Sequence, residues 1–574
     1  MNRNPYGRRK RRVLRGILLF LALAAAAILA IYYWINFVPS SKHEPPTFQG
    51  NPKPVFYKGG MLQDPALGKK ESLKLSFDTV QERIDPSVIY EQATESTIIT
   101  TQNKVIRLQT SQLTGLVNEK PFTLKFPLEK SGGKLYLPID PLLSFYRIDL
   151  RESEETGAVL MFREGDSIRW LRTVTYAGKP DKTIAMRRDP SIKAPIFADL
   201  KQGESIMVWG EEMDWYRVQL TNGYMGYVRK ADAIFDREEQ IPVKTEPGFQ
   251  PKRPITGKIN LTWEHVVSKN PDTSKISAMP GVNVVSPTWF HLQDGEGNLQ
   301  NLADPAYVKW AKDNGYHIWG LFSNGFDPKR TTAALSTYDK RMKMIKQLLA
   351  FSQMYGLEGI NIDFENVELA DKQNLVQFVR ELTPLLHEQG LVVSMDVTPR
   401  STNEMWSMFY DRKALIESVD YMMLMAYDEH WASSPKAGSV ASLPWVEASV
   451  RGLLEQDKIP PSKLVLGIPF YTRVWTETVK DGKTAVSSRA VFMEMPQRII
   501  REQKLKPQFS KETGQHYIEY KEDGKLNKIW IEDETSVRAR IALIKKYDLA
   551  GVASWRRGFE LPEAWSWIKE ELVK

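Results

Sequence analysis

The chain has 574 residues, 42% of them apolar, which is enough for several packed domains. It contains no cysteine, so disulfides and thiol chemistry are excluded. The net charge of +8 is gathered at one end, where Arg3, Arg8, Arg9, Lys10, Arg11, Arg12 and Arg15 precede the first acid. The remaining residues are close to neutral and show no basic stripe, so no nucleic-acid partner is expected.

Residues 1–15 read as a basic tail, and the uncharged run Gly16–Val38 reads as a transmembrane helix. Its 23 residues are long enough to span a bilayer. Positive charge in front of the helix predicts a cytoplasmic N-terminus, with Tyr32, Tyr33 and Trp34 at the outer interface. A cleaved signal peptide has a shorter apolar core and a small-x-small site, neither of which fits. The expectation is an uncleaved signal anchor in the cell membrane, with the rest of the chain extracellular and facing the wall.

Residues 39–71 carry Pro39, Pro45, Pro46, Pro52 and Pro54 among polar residues and predict an extended linker. Over 72–166 come short β-like runs such as Lys134–Ile139 and Ala158–Phe162. They resemble the stalk module called copper amine oxidase N-terminal-like, with no histidine or cysteine at ligand spacing for copper. Residues 170–235 hold Ile184–Pro190, Gly203–Val208, Trp215–Val218 and Gly223–Val228, a series of short strands with glycine turns. This stretch resembles a bacterial SH3-like barrel, and the resemblance implies contact with cell-wall peptide or glycan. Trp215, Tyr224 and Tyr227 are read as core rather than as a ligand platform. A second linker, 236–256, contains Pro242, Pro247, Pro251 and Pro254.

From 257 to 574 the pattern alternates strand and helix on the scale of a (β/α)8 TIM barrel. Strands are predicted at 259–263, 282–290, 317–323, 359–365, 392–397, 421–427, 463–471 and 551–555. Helices are predicted at 337–355, with Met342, Ile345, Leu348 and Leu349 on one face, and at 372–388, with Leu375, Phe378, Val379 and Leu382. The stretch 476–530 is too long for a loop and predicts an inserted subdomain beside the cleft.

The fourth of these strands, Leu357-Glu358-Gly359-Ile360-Asn361-Ile362-Asp363-Phe364-Glu365-Asn366, carries the chemistry. Alternation sends Asn361, Asp363 and Glu365 one way and Ile360, Ile362 and Phe364 the other. A barrel strand is buried on both faces, so two carboxylates inside it call for a function. Residues two apart lie ~6.6 Å apart at Cα, close enough for one carboxyl to hold its proton near neutral pH.

The stretch resembles the signature of glycoside hydrolase family 18, Asp-Gly-x-Asp-x-Asp-x-Glu. Gly359, Asp363 and Glu365 match it, while Glu358 and Asn361 stand where the family has Asp. Asn366-Val367 is most similar to the branch of bacterial peptidoglycan and spore-cortex N-acetylglucosaminidases. Met425-Ala426-Tyr427-Asp428 matches the family's Met-x-Tyr-Asp, Gly467–Tyr471 ends the seventh strand, and Trp555 ends the eighth. The resemblance implies Glu365, Asp363 and Tyr427 as catalytic residues. It implies Asn361, Asp428, Tyr471, Trp555 and Trp289 as substrate-binding ones. Asn324 and Asp396 also lie near strand ends, where packing is an equal reading. Asn361 is read either as a modulator of Asp363 or as a plain core amide. As modulator, a neutral amide relieves Asp363 of like-charge repulsion and lets it stay ionised to lower pH.

The activity implied is retaining, substrate-assisted hydrolysis of β-1,4 bonds next to N-acetylglucosamine, in peptidoglycan or a chitin-like glycan. The alternative is an inactive carbohydrate-binding wall protein on the same fold. The chain has no paired-histidine motif and no phosphate loop, so no metal and no cofactor are expected.

Overall fold

The computed structural model describes residues 6–174, 183–243, 248–480 and 483–573. Arg3, Pro247 and residues 481–482 of the predicted insertion lie outside the described residues, as do 175–182 of the SH3-like stretch. The chain divides into two compact units. One draws on residues 1–88, 109–115 and 123–246, the other on 89–108, 116–122 and 247–574.

The first unit begins with helix α1, Tyr6–Phe37. Its segment Arg12–Phe37, at 26 residues, is long and apolar enough to cross a membrane. The stretch expected to be a free linker is partly built into a sheet. Val55–Tyr57 pairs in parallel with Val159–Arg163, because Phe56 is apolar and finds cover against Leu160 and Phe162. Seven strands from Ser167–Thr173 to Ala233–Gln240 form one sheet over a core of Leu171, Met186, Ile206, Val218 and Val228. Trp215 is buried, Tyr224 packs partly covered against that core, and Tyr227 is partly covered.

The second unit is built on eight parallel strands: β1 Ile259–Glu264, β2 Val284–Pro287, β3 His317–Ser323, β4 Gly359–Asp363, β5 Val392–Val397, β6 Tyr421–Met425, β7 Leu464–Pro469 and β8 Gly551–Trp555. Each pairs with the next, and β8 pairs with β1, so the barrel closes. Inside lie Leu261, Trp263, Trp319, Leu321, Met423 and Val465. Outside, Ile360, Ile362 and Phe364 of the fourth strand's far face meet helices α2 (Tyr338–Tyr355) and α3 (Lys372–Glu388). Gly359 is required by this packing, since a Cβ there would sit 2.7 Å from Trp319 Cδ1.

Between β7 and β8 the chain leaves the barrel for an antiparallel five-stranded sheet. It runs from Tyr471–Lys480 to Lys525–Ile531 and includes the helix Glu494–Gln503. A further departure from expectation concerns residues 89–108, expected to lie within one stalk module. They belong to the barrel's unit, where Ile98 and Val105 join the outer core of α2 and α3. Charge seals the contact: Arg107 pairs with Asp339 at 2.7 Å, and Glu91 accepts from the Tyr338 backbone N–H at 2.7 Å.

Candidate active site

β4 ends at Asp363, and Glu365 lies just past the strand, at the carboxyl mouth of the barrel. Its backbone is fixed on both sides. Asn324 accepts from the Glu365 N–H at 3.2 Å and donates to its carbonyl at 2.7 Å, and the Tyr410 hydroxyl donates to the Phe364 carbonyl at 2.8 Å. Asn366 takes a left-handed φ of 53°, which Asn tolerates better than most residues, and turns the chain away from the mouth.

Three carboxyls crowd this mouth. Asp363 is 9% exposed and Asp396, from β5, is 1% exposed, while Glu365 is partly open to solvent. Among the described residues no lysine or arginine pairs with any of them. Burial pushes Asp363 up to about 7. Burial, then the charges of Asp363 and Asp428, push Glu365 well above the ordinary carboxyl range. Asp396 is raised likewise, by burial first and then by Asp363. The relief expected from a neutral residue at 361 is therefore outweighed by burial. At neutral pH the cluster holds protons, which is what an acid catalyst needs.

The remaining groups arrive from other strand ends. Tyr427 comes just after β6, and the charges of Asp396, Glu365 and Asp363 all bear on its hydroxyl. Asp428, at a left-handed φ of 60°, is exposed and accepts from the Tyr471 hydroxyl at 2.7 Å; Arg473 lies 3.3 Å from the same oxygen. Trp555 closes β8 partly exposed, its ring 6.0 Å from Trp263 and 5.8 Å from His265. Asp363, Glu365, Tyr427, Asp428, Tyr471 and Trp555 thus share the carboxyl end of the barrel.

Two predicted contacts do not. Trp289 is 0% exposed and points to the outer layer, where its Nε1 donates to Asn270 at 2.7 Å and its ring packs against Tyr307. It cannot touch a substrate in the mouth. β2 stops at Pro287, and the break before Phe290 turns Trp289 away from the barrel interior. Asn361 is also 0% exposed, and both ends of its amide are hydrogen-bonded. Its oxygen accepts from Trp263 Nε1 at 2.8 Å and Ser286 Oγ at 3.1 Å, and its nitrogen donates to Asp396 at 2.8 Å. Asn361 supports the site from beneath rather than meeting a ligand.

Sequence reasoning missed Tyr410 and the pair Phe326 and Trp406, whose rings lie 6.3 Å apart. Both rings are exposed beside Glu365, and the Phe326 carbonyl accepts from Asn366 at 2.9 Å. None of the three belongs to a motif with a spacing that would have marked it.

Carboxyls gathered without a cation at the carboxyl mouth of a closed βα barrel suit acid–base chemistry, and comparison with known proteins points to a class of protein that uses it. Residues 292–560 match the profile "Glycosyl hydrolases family 18", and residues 182–232 match "Bacterial SH3 domain". An uncharacterized glycosylase of Bacillus subtilis, YvbX, is 29% identical over 302 residues, covering 50% of this chain and 84% of that protein. The cortical fragment-lytic enzyme of the same organism is 25% identical over 260 residues, covering 45% of this chain and 59% of its own length. Among solved structures, the spore cortex-lytic enzyme SleL of Bacillus megaterium shares the fold with a TM-score of 0.50 at 19% identity. That match covers 65% of this chain and 89% of SleL.

Proposed function

We propose that the protein is a membrane-anchored, wall-facing glycosidase that cleaves β-1,4 bonds of an N-acetylglucosamine-containing polymer, peptidoglycan before chitin. The observation that carries this reading is the placement of Glu365, partly open to solvent and raised in proton affinity, at the barrel mouth beside the buried Asp363 and Tyr427, with no cation among the described residues paired to either carboxyl. In the proposed mechanism Glu365 protonates the leaving oxygen and the substrate's 2-acetamido oxygen attacks C1. Asp363 in its ionised form then stabilises the positive acetamido N–H, and Tyr427 orients the acetamido carbonyl. Water activated by Glu365 opens the oxazolinium-like intermediate, with net retention. Asp428, held by Tyr471, steadies the distorted ring, and Trp555 lies beneath the sugar as an apolar floor.

Peptidoglycan is favoured by the SH3 domain, by the cortical fragment-lytic relative and by a helix suited to anchor the chain at the cell surface. The anchor is read with its N-terminus inside. The test is release of reducing ends by the full chain in detergent, from purified peptidoglycan and from chitin oligosaccharides. Release from peptidoglycan that Glu365→Gln abolishes is the expected result. Failure on both polymers would leave a sugar-binding protein.

A further inference from the structure

The family signature has a carboxyl at position 361, and this chain has an amide there. The barrel nevertheless brings a third carboxyl into the same layer. β4 and β5 pair in parallel with Asn361 opposite Ser394 and Ile362 opposite Met395. Continued by one residue, this register sets Asp363 beside Asp396 on strands ~4.8 Å apart. Both side chains are buried.

Three observations point the same way. Asp363 Oδ1 is buried without a hydrogen-bond partner, and two facing carboxylates cannot both ionise in such a place. Asn361 donates to Asp396 Oδ1 at 2.8 Å, so the amide that replaces the family's acid orients the acid next door. Around Asp396 stand Asn361, Asp363 and Glu365 from the β4 side and Trp263 from β1. Tyr410 and Tyr427 are also within its electrostatic reach. None of these carries a positive charge: Asn361 and Trp263 offer Asp396 N–H donors, and the repulsion from Asp363 and Glu365 is left for a proton to relieve.

We propose that Asp396 is the proton partner of Asp363: the two carboxyls share one proton across β4 and β5, and the carboxyl the family keeps at position 361 is supplied here from the adjacent strand. Asp396 is then a positioning residue that acts through Asp363. Its O–H donates to the Asp363 carboxylate and keeps that group ionised for the acetamido N–H. The proton stays within the pair throughout, and no bond to substrate forms at Asp396.

This inference rests on the glycosidase reading, and its test has an arm that does not. Infrared spectra of the full chain with ¹³C-labelled aspartate, recorded without substrate at about pH 8, report protonated aspartate directly. An Asp carboxylic-acid carbonyl band that persists to higher pH in the wild type than in Asp396→Leu is expected, and its absence from the wild type would overturn the pair. In kinetics with an N-acetylglucosamine oligomer, Asp396→Leu removes the donor, so Asp363 ionises at higher pH. The acid limb of kcat/KM should move up by about one unit, a tenfold loss below it, with KM nearly constant. Adding Asn361→Asp should bring the limb back, a rescue that mere loss of packing would not allow. An acid limb unmoved in Asp396→Leu would sink the proposal. If this variant does not fold, Asp396→Asn should show a smaller shift in the same direction, since an amide donates more weakly than an acid, and no shift would count against it equally. A wild-type chain inactive on every glycan but showing the band would refute the glycosidase reading and leave the shared proton standing.

Discussion

Glu381 and Asp363 are both carboxyls buried in the barrel's unit, and they are treated in opposite ways. Glu381, on α3, is gripped by Arg341 from α2 through Nε and Nη2, each at 2.8 Å, and Gln377 adds a third bond at 2.8 Å. Glu532 with Arg540 and Glu264 with Arg557 repeat the pattern. Burial still lifts Glu381 above its usual proton affinity, but Arg341 pulls it back. Asp363, Glu365 and Asp396 have no such partner. A carboxyl bound to a fork of arginine N–H groups is committed to holding elements together. One left without a cation keeps a proton it can give away, at a cost in stability.

The difference can be broken from either side. The largest effect expected is on turnover: Glu365→Gln should lower kcat by about 10²–10⁴-fold in a reducing-end assay, with little change in unfolding. Glu381→Gln strikes the other class, and removing one partner of a buried pair should cost ~3–5 kcal/mol in denaturant unfolding. Asp363→Asn should do the reverse. A carboxyl with a folded value of about 7 binds more protons folded than unfolded, so it weakens the fold increasingly as pH rises from ~4 to ~7. The amide should therefore stabilise the chain at pH 8, read as a higher denaturant midpoint than the wild type's, and abolish activity. The smallest effect belongs to a pair open to water: Lys309→Ala breaks an exposed contact with Asp313 one helical turn away and should cost no more than ~0.5 kcal/mol. A stabilising Glu381→Gln or a destabilising Asp363→Asn would erase the distinction.

Much of this architecture was legible in the residues. The alternation of Ile360, Ile362 and Phe364 against Asn361, Asp363 and Glu365 is a local signal, and β3, β5 and β8 begin and end where their apolar runs do. Trp289 was misread because an unbroken strand was assumed through Pro287, and a break reverses which side a residue faces. Asp396 stayed open between packing and a site role because its meaning depends on register with a strand more than thirty residues away. The bond between Glu91 and α2 spans 247 residues, and no periodicity in either segment announces it. Lone charges in short strands give a reader no hint of which distant cation or backbone amide will meet them.

The docking of residues 89–108 on α2 and α3 bears on how short this protein can be made. A fragment begun at the second proline-rich linker would keep every motif residue. It would strip Ile98 and Val105 from the outer helices and take from Arg341 its contact with Glu91 at 3.5 Å. α3 is the helix that comes after the strand bearing the acid, so a loosened outer face lies one layer from Glu365. The smallest faithful piece of this protein starts far upstream of its recognisable barrel.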